Sequence, residues 1–151
     1  MIFEGVSRLA SREFQDFLSF KKSVPEKIIF KKLSMENCIF CKIVKKEIPA
    51  NIVYEDENFL AFLDIKPMSP GHTQIIPKRH YRWVWDVPNI GEYFEIAKKI
   101  ALAQKKAFNA DIIRSQVYGE EISHAHIWVW PEVSGDEKNL SENAKKIIQA
   151  L

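Results

Sequence analysis

Two histidines stand one residue apart in residues 122–131, ISHAHIWVWP, and two tryptophans continue the same alternation. No other stretch limits the fold as tightly. In an extended strand successive side chains point to opposite faces, and residues i and i+2 lie about 6.5–7 Å apart. His124, His126, Trp128 and Trp130 therefore share one face, and Ala125, Ile127 and Val129 share the other. The second face is core. The first carries two imidazoles and two indoles, which is unusual for a surface and costly for an interior unless the ring nitrogens are paired. A sheet with one chemically loaded face is the expected frame.

The segments around it supply that sheet. Residues 38–47 predict a short helix with Ile39, Ile43 and Phe40 toward one side, ended before Pro49. Residues 52–55 and 59–65 are apolar runs joined by Asp56-Glu57-Asn58, a hairpin pattern. A Pro/Gly turn, KPMSPGH, leads to a strand at 72–76. Residues 90–108 predict a helix, with Ile90, Phe94, Ala97, Ala101 and Phe108 at helical spacing and Asp86 or Asn89 as its cap. Strands follow at 111–118 and 122–129, then a terminal helix from about residue 140. The fold class is α+β: five strands, mainly antiparallel, with two or three helices.

Bulk properties exclude several roles. Of the net charge of +2, residues 1–34 carry +3, seven Lys/Arg against four Asp/Glu, and the remainder −1. So mild a balance points to no nucleic-acid partner. No apolar run reaches the roughly 20 residues of a membrane span, and the start has neither the continuous apolar centre of a signal peptide nor its charge pattern. A cytoplasmic location is expected. Residues 1–34, with helical patterns at 6–20 and 26–33, read as an extension before a domain at 35–151, and Met35 is a candidate start. The two cysteines, Cys38 and Cys41, are too close in sequence to staple a fold and read as a metal or redox pair.

On the loaded face, a neutral imidazole can attack phosphorus and form an N–P intermediate that water later cleaves. A second histidine beside it can bind metal, orient the first, or hold phosphate. A lone H-x-H pair is more often hydrogen-bonded packing than chemistry, since unusual ionisable residues mark sites only statistically. The tryptophans read as packing; an indole donates a hydrogen bond but does not shuttle a proton.

The pair is not alone. CIFCKIVKKEIPANIVYEDENFLAFLDIKPMSPGHTQIIPKRH, followed later by HAHIWVWP, resembles the histidine-triad (HIT) family of nucleotide hydrolases and transferases over residues 38–131. The resemblance implies a five-stranded antiparallel sheet with helices, paired into a homodimer. It implies His126 as the nucleophile and His124 as the first histidine of the triad, and it puts Trp128 where the third would stand. That departure puts protonation of the leaving group in question. It further implies a nucleoside pocket of Ile39, Phe40, Ile43, Ile48, Phe62, Leu63, Ile65 and Ile75, with Asp64 gripping the ribose hydroxyls. Gly119 and Glu120 fall where members contact phosphate. Here, however, Gly119-Glu120-Glu121 replaces the usual Gly-Gln-Ser, and two unit charges about 4 Å apart interact by roughly 4 kcal/mol at an effective dielectric of about 20. The glutamates therefore point away, or the substrate carries less charge than a polyphosphate, or a cation intervenes. By the same resemblance Cys38, Cys41, His80 and His124 form a structural zinc site, a donor set suited to tetrahedral zinc. The expected activity is hydrolysis or nucleotidyl transfer on a nucleoside phosphoramidate or dinucleoside polyphosphate. The alternative is a nucleotide-binding or scaffold protein with weak or lost turnover.

Overall fold

The FLAFL run, Phe59–Leu63, is buried at all five positions, so it is an inner strand with both faces covered. That explains why it reads as a continuous apolar run rather than an alternation. The structure is a computed structural model that describes residues 37–151; the helical patterns expected at 6–20 and 26–33 lie outside the described residues. In chain order the elements are α1 (Ile39–Val44), β1 (Ile52–Glu55), β2 (Phe59–Leu63), β3 (Thr73–Pro77), a 3-10 turn (Val84–Asp86), α2 (Ile90–Phe108), β4 (Ile113–Tyr118), β5 (His126–Pro131) and α3 (Leu140–Ala150). The strands form one sheet in the order β1-β2-β3-β5-β4, and every neighbouring pair is antiparallel. Five strands and three helices among the described residues match the expected α+β class.

The sheet separates two apolar clusters. On one side Phe59, Ala61, Leu63, Ile75, Ala125, Ile127 and Val129 pack with Tyr93, Ile96, Ala97 and Ile100 of α2 and Ala144 and Ile147 of α3. On the other, Leu60, Phe62 and Ile76 pack with Cys38, Phe40, Cys41 and Ile43 at α1. The Ala/Ile/Val alternation of β5 is therefore the core face, as its spacing implies.

Boundaries differ from expectation in ways that matter for the site. β5 begins at His126 rather than residue 122, because the approach to it bends: the His124 N–H bonds to the Ile122 carbonyl at 2.7 Å and the Ala125 N–H to the Tyr81 carbonyl at 2.7 Å. β2 stops before Asp64, whose N–H meets the His72 carbonyl at 2.9 Å. α1 ends at Val44; the N–H of Glu47 reaches back to the Lys42 carbonyl and Lys46 adopts a positive φ of 62°. The buried stripe of α2 is Tyr93, Ile96, Ala97, Ile100, Ala103 and Gln104. Ile90 and Phe94 of the expected stripe are instead exposed. This helix has apolar residues on two adjacent stripes, and polar anchors decide between them. The Tyr93 hydroxyl donates to the Ile75 carbonyl at 2.6 Å, and the Gln104 amide donates to the Gly71 and Val129 carbonyls at 2.9 Å each. Gly71, in the turn before β3, has φ +81°, and a Cβ there would sit 2.4 Å from the Phe108 ring. Only glycine meets both conditions.

Candidate functional site

The bend before β5 aims two imidazoles differently. The His124 ring is fully buried. Its Nε2–H donates to the Pro77 carbonyl at 2.8 Å, which leaves the lone pair on Nδ1. That nitrogen lies 3.4 Å from Cys38 Sγ and 3.5 Å from Cys41 Sγ. His80 Nδ1 lies 3.2 Å from Cys41 Sγ, and one ligand atom from each of Cys38, Cys41, His80 and His124 lies within 4.8 Å of the others. A tetrahedral zinc with Zn–S of about 2.3 Å and Zn–N of about 2.05 Å has S···N edges of about 3.6 Å, close to the three S···N distances given, so the donor set fits the ion. The bond from Nε2 to a backbone carbonyl is the usual outer support of a metal-ligating histidine. Burial, opposed by the Pro77 bond, takes the His124 pKa down to about 4. Burial and then the neighbouring Cys38 hold the Cys41 thiol up at about 12. A metal ligand must be a neutral imidazole or a deprotonated thiol, so the ring is ready as it stands and the Cys41 proton would leave on binding a cation.

His126 is buried on the α1 side of the sheet, with the Phe40 ring edge-on at 5.3 Å. Its Nδ1 lies 2.7 Å from the His124 carbonyl. A carbonyl only accepts, so Nδ1 carries the proton and the basic lone pair belongs to Nε2. Burial lowers the pKa of this ring and keeps it neutral; Asp64 and Glu121 push the other way.

Next to His126 lies a cavity of about 290 Å³, lined by Ile39, Phe40, Ile43, Ile48, Phe62, Leu63, Asp64, Ile65, His126 and Trp128 from the expected set. Asp64 is buried in its wall; Oδ1 accepts the Lys66 N–H at 2.7 Å, and Oδ2 accepts the Gln74 side-chain amide. A carboxylate has about four acceptor positions, so these two bonds orient it and leave capacity for two hydroxyls.

Three expected pocket residues are not brought there. Ile75 is fully buried in the α2 and α3 cluster, because alternation along β3 turns it to the face opposite Gln74. Gly119 packs on Trp83, where a Cβ would meet the indole at 2.6 Å. Glu120 is exposed and outside the lining; one residue on, Glu121 lines the cavity in its place. The lining also includes Pro49, Ala50, Lys66, Gln74 and Ile122, which the sequence reading did not single out. For Gln74 a signal existed, since it alternates with Ile76 on the face of the sheet that α1 covers. The cavity wall thus holds two carboxylates, Asp64 and Glu121, against one ammonium, Lys66.

An all-antiparallel five-stranded sheet that seats a neutral, tautomerically fixed imidazole in a cavity defines a class of small α+β proteins built around paired histidines. Comparison identifies which. Residues 45–134 match the HIT domain, and the chain belongs to that family. An uncharacterised HIT-like protein of Methanocaldococcus jannaschii is 41% identical over 105 residues, 66% of this chain and 81% of that protein. An adenosine 5′-monophosphoramidase of Saccharomyces cerevisiae is 38% identical over 105 residues, 68% of this chain and 65% of the yeast protein. Among solved structures, a zinc-bound histidine triad family protein from Mycobacterium smegmatis superposes with a TM-score of 0.69 at 31% identity, covering 77% of this chain and 94% of the other.

Proposed function

We propose that this protein is a nucleotide-binding hydrolase or nucleotidyl transferase that works through a covalent intermediate on His126. The observation that carries the reading is the 2.7 Å bond from His126 Nδ1 to the His124 carbonyl at the wall of a cavity that also contains Asp64. It fixes the tautomer whose Nε2 lone pair can attack phosphorus. The apolar side chains of α1 and β2 take the base, and Asp64 accepts from the ribose hydroxyls. In the first step the Nε2 lone pair forms the N–P bond while the bond to the leaving group breaks, its electron pair departing with the leaving atom. In the second, water attacks phosphorus, the imidazole departs, and a nucleoside monophosphate is released. The yeast relative's activity on an adenosine phosphoramidate supports this substrate class.

Cys38, Cys41, His80 and His124 would hold one zinc ion, a redox-inert structural centre tying α1 to the segment after β3 and the approach to β5. Support comes from the fit of the donor set and the zinc-bound relative. Pairing into a homodimer and a cytoplasmic location complete the reading. A second reading, a binding protein with weak turnover, is favoured by Trp128, whose indole cannot exchange a proton near neutral pH.

The test is incubation with an adenosine phosphoramidate followed by intact mass of protein quenched in denaturant at alkaline pH, where an N–P bond to imidazole survives. The expected result is a nucleotidyl adduct that His126→Ala abolishes while nucleotide binding persists. An adduct surviving in His126→Ala removes the nucleophile assignment; binding without adduct or product in the wild type selects the second reading.

A further inference from the structure

The pair Glu120-Glu121 stands out in the sequence, and the mechanism above gives neither a role. The structure separates them: Glu120 is exposed outside the cavity, and Glu121 enters its wall beside His126 and Trp128. The placement is held from outside. Gly119 is wedged on Trp83, and Arg82 Nη1 donates to Ser123 Oγ. The loop is thus fastened on both sides of Glu121 and Ile122. Arg82 binds the serine rather than the carboxylate, and among the described residues no ion pair involves Glu121. The one cationic side chain in the lining, Lys66, shares it with Asp64 as well.

We propose that Glu121 is the specificity-determining residue of this site, favouring a leaving group joined through a bridging nitrogen protonated before the P–N bond breaks and disfavouring one that continues as a phosphate chain. The inference rests on the His126 reading and deepens it. Two departures become complementary. Trp128 cannot supply a proton to a leaving atom, and a leaving nitrogen that already bears one does not need it. In the favoured substrate the bridging nitrogen takes a proton from water and faces the Glu121 carboxylate. The His126 lone pair forms the N–P bond, the P–N bond breaks with its pair kept by nitrogen, and a neutral amine departs with the proton it brought. Water then attacks phosphorus; the monophosphate leaves, and the surplus proton returns to solvent from the imidazolium. A phosphate chain in the same place would set negative charge against the carboxylate.

The experiment compares kcat/KM for an N-alkyl phosphoramidate of adenosine monophosphate and for diadenosine tetraphosphate. The wild type should prefer the phosphoramidate. Glu121→Gln should shift the ratio toward the tetraphosphate by about tenfold or more at low salt, with a smaller shift at high salt because an exposed charge is screened. Glu121→Asp should retain the preference, and Glu57→Gln, in the exposed β1–β2 turn, should leave the ratio unchanged. The affinity ratio of the two ligands, measured by calorimetry in the His126→Ala background with and without Glu121→Gln, reads the same selection without turnover. A ratio that stays within twofold in both assays overturns the proposal. An adduct that survives in His126→Ala, together with a shifted affinity ratio, would instead retire the nucleophile and keep Glu121.

Discussion

At the scale of single residues, the decisive arrangement is that one peptide carbonyl, that of His124, sets the proton of the next histidine. The ring of His124 is meanwhile committed to Pro77 and the thiols. Alternation places both histidines on one face, but the spacing alone does not say which of them faces the cavity. That follows from the bend at residues 122–125, which no periodicity encodes. Trp128 is the residue whose chemistry is most exposed to test. General acid catalysis is worth typically 10²–10⁴-fold, and an indole supplies none of it. Trp128→His should therefore raise kcat by about tenfold or more for a poor leaving group that departs needing a proton, and much less for a protonated amine. The measurement is kcat across leaving groups of graded basicity; an equal response for all of them would show that proton supply is not what Trp128 limits.

At the scale of elements, α1 is the part of the site least able to stand alone. Six residues are about half the length at which isolated helices become even marginal in water, so α1 depends on what it packs against. Phe40 packs edge-on against Phe62 at 5.6 Å, and Cys38 and Cys41 face His124. Cys38→Ser removes one of the four proposed zinc ligands. Bound metal should fall well below one per chain and Tm should drop by several degrees, since about 1 kcal/mol moves Tm by roughly 2–4 °C in a chain of about 150 residues. Metal analysis and calorimetry on the same sample check it; stoichiometric metal in the variant would remove Cys38 from the ligand set. Elements were legible in the sequence to different degrees for physical reasons. β2 was plain because a strand covered on both faces is apolar throughout. The face of α2 was not, because the choice between two apolar stripes is made by Tyr93 and Gln104, whose carbonyl partners lie at residues 71, 75 and 129. The cavity's apolar wall could be read from α1 and β2, and Gln74 from its alternation with Ile76, whereas Glu121 reaches it through a fastened loop that no linear pattern shows.

At the scale of the whole molecule, the sheet divides labour between its faces. The α2 and α3 side is apolar core, and the other side keeps three imidazoles, His72, His124 and His126, almost wholly out of solvent. Burial lowers the pKa of all three. For His72 the hydrogen bonding gives a further reason. Its Nδ1 accepts the Met68 N–H at 3.2 Å, so protonation there would set two donors against each other, and the ring is enclosed edge-wise by Trp128 at 4.8 Å and Trp130 at 5.6 Å. Asp64, 3.9 Å away, offsets this only in part. The sign follows from linkage. Between the lowered folded pKa values and the unfolded value of 6.5, the unfolded chain binds more protons than the folded one, so stability rises with pH through that window. The contribution is therefore complete above about pH 7 and is lost progressively as pH falls below 6.5. Displacement by protons at His124 of the zinc proposed above would act in the same direction. Tm should fall steadily from pH 7.5 to pH 5, and His72→Gln, which has no ring to protonate, should show a shallower acid limb even if its Tm at pH 7.5 is lower. A flat Tm would mean that folding leaves these pKa values unchanged, and a Tm rising toward pH 5 that the folded rings bind protons more tightly than the unfolded ones; a His126 charged in that way has no lone pair to offer phosphorus.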